Sequence, residues 1–207
     1  MSGLAMEFAL RHLAGARLPT SPAPWYVLIE ISSSLSNSEA ETVVLDVLAG
    51  AAAAGEAIEA AVAQSLSQAG DFWRLRHGMS EVQKYEGGSI KHDVSVPIGE
   101  LPAFLEEAMA AVVEAFPGCR PVPFGHMGDG NIHFNVSQPA GGDRQTFLAR
   151  WNEMNAVVHG VVRRYGGSVA AEHGVGRLKV DLLAEVKPPL DLELMGRLKD
   201  ALDPLGI

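Results

Sequence analysis

Two His, one Asp and one Asn stand within nine positions in Gly125-His126-Met127-Gly128-Asp129-Gly130-Asn131-Ile132-His133. Imidazoles that converge beside a carboxylate form a ligand set for zinc or a similar divalent ion. On a straight strand the separation of seven would put His126 and His133 on opposite faces, and the glycines at 125, 128 and 130 argue against a helix. A bend over 128–130 brings both rings to one place; otherwise the pair is simply solvated on a hairpin. A second cluster, Ala171-Glu172-His173-Gly174-Val175-Gly176, sets a carboxylate directly beside a His. Glu172 would complete a two-His-one-carboxylate set and leave His173 as a general base, because imidazole titrates near neutrality. Alone, that stretch also reads as a turn before a helix with an incidental His.

The cations are unevenly spread. Between Leu18 and Trp73 there is no Lys or Arg, and then Arg74, Arg76, Lys84 and Lys91 follow closely. Arg76 and Ser80 are four apart and share a helix face. Lys91 lies on the polar side of a strand with Asp93 and Ser95. A guanidinium fork with an ammonium suits a small molecule bearing carboxylates, although a single surface cation is more often merely solvated. No GxGxxG, GxxxxGK[ST], HExxH or GxSxG occurs.

The elements that must position these groups read as follows. A helix precedes an apolar strand at 25–31, and Ser38 with Glu41 has capping-box spacing for a helix to about residue 54. A second strand is expected over 58–63. Residues 65–85 are helical, with Phe72, Leu75 and Met79 on one face. Residues 90–96 alternate as a strand, 101–116 form a helix, and 119–124 form a Pro-flanked extended segment. The strand 131–136 places Ile132, Phe134 and Val136 on one face and His133 with Asn135 on the other. One long helix over 147–165, a short strand over 168–171 and a last helix over 190–202 complete the order. This is an α+β pattern, a sheet with helices on one face and the other face left for a site. The length of 207 residues gives a core burying roughly 70% of the unfolded surface. A net charge of −9 with no basic run excludes nucleic acid as partner. No apolar stretch is long enough to span a bilayer, and Glu7 and Arg11 interrupt any signal peptide, so a cytoplasmic protein is expected. The single Cys119 reads as a buried small hydrophobe.

Residues 123–136, PFGHMGDGNIHFNV, together with 170–179, AAEHGVGRLK, resemble the C-terminal half of FAD-linked oxidases of the vanillyl-alcohol-oxidase type. Within these they are most similar to the D-2-hydroxyglutarate, D-lactate and glycolate oxidase flavin-subunit group. Trp73-Arg74-Leu75-Arg76 and residues 91–97, KHDVSVP, match in order and spacing, and the resemblance covers essentially the whole chain. It implies a ferredoxin-like antiparallel sheet with helices on one face, with residues 1–207 as one cap domain over a flavin bound mainly by an N-terminal domain that is absent here. His126, His133 and Glu172 correspond to ligands of a divalent metal, usually zinc. His173 corresponds to the base that takes the hydroxyl proton while the alpha hydrogen leaves as hydride to FAD. Arg76, Ser80 and Lys91 correspond to residues holding substrate carboxylates, and Asn131 lies in the same pocket.

The reading is therefore the substrate- and metal-binding half of a flavin-dependent D-2-hydroxy-acid dehydrogenase, inactive without its FAD-binding partner domain, and the resemblance implies a homodimer. Two other classes compete with it: a stand-alone metal-dependent hydrolase, separable by activity without flavin, and a non-catalytic cap-derived binding module, separable by loss of the metal.

Overall fold

A computed structural model describes residues 1–207 except 33, 35, 36, 178 and 207. The chain divides into two compact units, Met1–Ser89 and Ile90–Ile207.

In the first unit, α1 (Gly3–His12) packs on α3 (Leu66–Val82). Ser2 and Ser65 cap these helices, each hydroxyl accepting a backbone amide three residues on. Ala5, Met6, Phe8 and Ala9 are buried on one helix, and Leu75, Met79 and Val82 on the other, with Phe72 partly buried beside them. A side chain at Gly78 would collide with Leu13, so this pair approaches closely. Helix α2 (Asn37–Ala53) lies between them in sequence. Ser38 sits inside its first turn, where its carbonyl accepts from the Thr42 hydroxyl, so it is not the cap; residue 36 lies outside the described residues.

Two expected strands are absent from the described structure. At 25–31 only Trp25 makes a bridge, to Ser2, and only the Tyr26 backbone pairs with Met1. A strand exists by its neighbour, and Val27, Ile29 and Ile31 remain exposed beyond that contact. At 58–63 the chain follows a left-handed turn at Gly55 and leaves Ile58 exposed, without a ladder.

The second unit holds the sheet. Strands β1 (Ser89–Ser95), β2 (Arg120–His126) and β3 (Asn131–Ser137) form an antiparallel three-stranded sheet in the order β1-β3-β2. β2 and β3 pair with Phe124 opposite His133 and His126 opposite Asn131. Ile90, Val94, Ile132, Phe134 and Val136 point to a core shared with α4 (Leu101–Ala115) and α6 (Trp151–Arg164). Phe104 of α4 is fully buried and meets Phe134 and Tyr165 edge-on. The helices thus cover one face of the sheet, as the α+β pattern requires.

The long helix expected over 147–165 is two: α5 (Arg144–Ala149), capped by Asp143, and α6, broken at Arg150. Arg150 takes φ −90°, ψ 20° at the break, and its guanidinium lies 4.0 Å from the centre of the buried Phe116 ring. Helix α7 (Val180–Val186) was not expected from periodicity, and α8 (Pro189–Leu202) was. Cys119 is buried, and burial raises its thiol to about 11. No described helix is long and apolar enough to cross a membrane.

Beneath the sheet lie two histidines that sequence reasoning passed over. His92 on β1 and His159 on α6 meet edge to face at 5.7 Å, both buried. His92 Nδ1 bonds the Phe134 carbonyl at 2.8 Å. Burial lowers His92 from 6.5 to about 4, reinforced by Lys179 and opposed by its hydrogen bonds. Burial, then the charges of His92, Lys179 and Arg163, lower His159 to about 4.

Two outcomes follow for stability. Phe104→Ala removes a ring with no solvent exposure and should cost about 3–5 kcal/mol in urea unfolding; a cost near zero would mean the helix–sheet core is not formed. The paired histidines stay neutral when folded, so between about pH 4 and 6.5 the unfolded chain binds more protons. Stability should be fully present above pH 6.5 and decline as pH falls towards 4. His159→Leu should flatten that limb relative to the unsubstituted chain, and an unchanged slope would contradict the neutral pair.

Candidate metal and acid–base site

Alternation along β3 sends Asn131 and His133 to the face opposite the core, and the register of β2 puts Phe124 and His126 beside them. The bend expected over 128–130 exists. A 3-10 turn, Met127–Asp129, joins the strands, and Gly130 takes φ +74°. A Cβ there would lie 2.1 Å from the Val96 carbonyl oxygen, and the chains are held this close by the Val96 amide, which donates to the Gly130 carbonyl at 3.1 Å. The rings of His126 and His133 consequently come to 6.1 Å, nearly perpendicular.

The second motif arrives along the free edge of β1. Ser168 exchanges backbone hydrogen bonds with Ser95, and the Ala171 amide donates to the Asp93 carbonyl. This is a single bridge where a short strand was expected, because the chain turns towards the site immediately afterwards. Gly167 permits it, since a Cβ would stand 2.2 Å from the Ser95 carbonyl. The Lys179 ammonium donates to the Val169 carbonyl and closes the loop. Burial lowers the Lys179 pKa, and the Asp93 charge partly restores it.

These two approaches gather five of the expected residues. His126 Nε2 is 3.7 Å from Glu172 Oε1, and His133 Nε2 is 4.0 Å from Glu172 Oε2. The ligand atoms of His126, His133 and Glu172 all lie within 4.8 Å of one another. Bonds of ~2 Å around a tetrahedral ion separate neighbouring donor atoms by roughly 3.3 Å. The trio therefore fits a divalent ion after small side-chain adjustments, and two imidazoles with one carboxylate are the donor set such an ion prefers. Asn131, buried, donates through its carboxamide to Glu172 Oε1. His173 follows Glu172, with its ring stacked 6.3 Å from that of His133 and its side chain 73% exposed. Lys91 stands exposed on β1. Arg76 and Ser80 stand on α3 of the first unit, one turn apart. Arg76 is buried there, and burial together with its charge lowers the Met1 ammonium from 8.0 to about 6.

One residue at the centre carried no role in the sequence reading. Asp93 is buried on β1, and its Oδ2 accepts the amides of both Glu172 and His173 at 2.8 Å. Burial pushes its carboxyl up, but the two amides and the His173 and His133 rings outweigh this and leave it below its ordinary value. A hint was available: a carboxylate on a strand two residues past Lys91, on the face where the His converge, needs partners if that face is covered.

Comparison with known proteins gives a consistent picture. The family model described as FAD linked oxidases, C-terminal domain, matches residues 1–207. The chain is 35% identical over 184 residues to the D-2-hydroxyglutarate dehydrogenase of Stutzerimonas stutzeri strain A1501, covering 89% of this chain and 39% of that protein. It is 34% identical over 202 residues to the D-2-hydroxyglutarate dehydrogenase of Xanthomonas citri pv. viticola, covering 97% and 42%. It is 30% identical over 204 residues to the mitochondrial D-2-hydroxyglutarate dehydrogenase of Arabidopsis thaliana, covering 98% and 35%. The chain thus spans well under half the length of these curated relatives.

Proposed function

Since the chain belongs to the family of FAD linked oxidases, C-terminal domain, we propose that it is the substrate- and metal-binding cap of a flavin-dependent D-2-hydroxy-acid dehydrogenase. The observation that carries this reading is the convergence of His126, His133 and Glu172, with His173 on the adjoining residue. In it, the three converging side chains hold a divalent ion, zinc being the one their donor chemistry suits. Bound in the assembled protein, the ion supplies a Lewis acid for the substrate hydroxyl, and FAD an acceptor for the alpha hydride.

The chain's own residues do the rest. His173, exposed beside the ligand set, takes the hydroxyl proton. Asn131 holds Glu172 in place at the edge of the same pocket. Arg76 offers a bidentate fork, Ser80 a hydroxyl and Lys91 a point charge for the substrate carboxylates, which fix the direction of the alpha C–H bond. The relatives named above are D-2-hydroxyglutarate dehydrogenases, which favours a dicarboxylate over lactate or glycolate. FAD is assigned mainly to the partner domain.

Two measurements test the reading. Elemental analysis of chain prepared without chelator should find about one equivalent of zinc or another divalent ion, and little in His126→Ala; no metal in either would remove the metal from the proposal. With the FAD-binding domain present, His173→Ala should lower kcat by about 10²–10⁴ with little change in KM. Arg76→Ala should act mainly on KM, because the fork binds ground and transition states alike. Indistinguishable effects of the two substitutions would refute these roles.

A further inference from the structure

An imidazole ligates or accepts a proton through one nitrogen only when the other carries the hydrogen. Both critical rings have one nitrogen turned to the same carboxylate. His133 Nδ1 is 3.9 Å from Asp93 Oδ1, and His173 Nδ1 is 3.5 Å from Asp93 Oδ2. The Asp93 side chain is only 8% exposed, and its Oδ1 has no hydrogen bond. These separations lie just beyond hydrogen-bond length, but an ionised carboxylate only accepts, so its charge favours the hydrogen on the ring nitrogen turned towards it. That leaves the lone pair of His133 on Nε2, the atom facing Glu172. It leaves the lone pair of His173 on Nε2 as well, away from Asp93.

We propose that Asp93 is a positioning residue: it sets both histidines in the Nδ1–H tautomer while its Oδ2 pins the backbone of the loop that carries Glu172 and His173. One buried carboxylate thereby presents the ligand nitrogen, the ligand carboxylate and the base nitrogen together. What those nitrogens do rests on the function proposed above; which nitrogen bears the hydrogen does not. The two-amide clamp alone would be served by any acceptor, whereas the tautomers demand an atom that cannot donate. Asp93→Asn separates the two. Its oxygen can still take the amides at Oδ2, but its NH2 then faces His133 Nδ1, calls for a lone pair there and moves the hydrogen to Nε2, where it blocks ligation.

The test uses the 207-residue chain with zinc ion alone as probe. Nitrogen-15 ring shifts of the metal-free chain above about pH 8, where imidazoles are neutral, should report Nδ1–H at both His133 and His173. In Asp93→Asn the His133 tautomer should switch, and zinc affinity should fall by about 10–100-fold, as loss of an outer-shell partner does. Nε2–H in the unsubstituted chain, or a variant that keeps both tautomer and affinity, overturns the proposal. If the variant does not fold, the tautomers of the unsubstituted chain decide. If the unsubstituted chain binds no zinc, the metal reading fails, and the ring shifts still decide the role of Asp93.

Discussion

His133 follows His126 by seven positions, and a continuous strand cannot show both rings to one ligand. The chain has to reverse between them within so few residues that pairing persists up to His126 itself. The 3-10 turn at Met127–Asp129 and the left-handed Gly130 accomplish this. Because side chains alternate along a strand, the reversal converts an odd separation into a shared face, and a register one residue different would send one imidazole into the hydrophobic core. The rest of the site is arranged around this hairpin.

The sheet keeps two incompatible environments apart. On one face, Ile132, Phe134 and Val136 interlock with α4 and α6. On the other stand Asn131, His133 and, from β1, Asp93. The separation is not one of polarity alone, since His92 and His159 are polar and lie on the core side. Burial holds them neutral, so the core side places no cationic imidazole behind the Asp93 carboxylate. The Asp93 charge therefore remains available to the amides and imidazoles on the site face.

Much of this was legible in the sequence because it is local. The alternation of 131–136 fixed which face His133 takes, and glycines at 128 and 130 signalled the reversal. What failed depended on distant partners. Residues 25–31 have strand composition, but beyond Trp25 and Tyr26 nothing in the described structure supplies a ladder. The helix over 147–165 divides at Arg150, whose guanidinium lies over Phe116 from a distant part of the chain. Asp93 looked like one more polar residue on an alternating strand; its importance lies in amides 79 and 80 residues further along. A motif shows which residue types congregate, whereas the group that orients them is often remote in sequence and chemically unremarkable.

The loop 168–173 is bound to β1 by Ser168, Ala171, Glu172 and His173, yet it follows the hairpin by more than thirty residues in the chain. During synthesis, from the N-terminus onward, β1 and the hairpin are therefore complete while Asp93 still lacks its two amide donors. A carboxylate without hydrogen-bond donors resists burial. The loop both supplies Asp93 with its two amide donors and delivers Glu172 and His173 to the site, so that a chain halted before residue 172 would have the imidazole pair without the carboxylate between them.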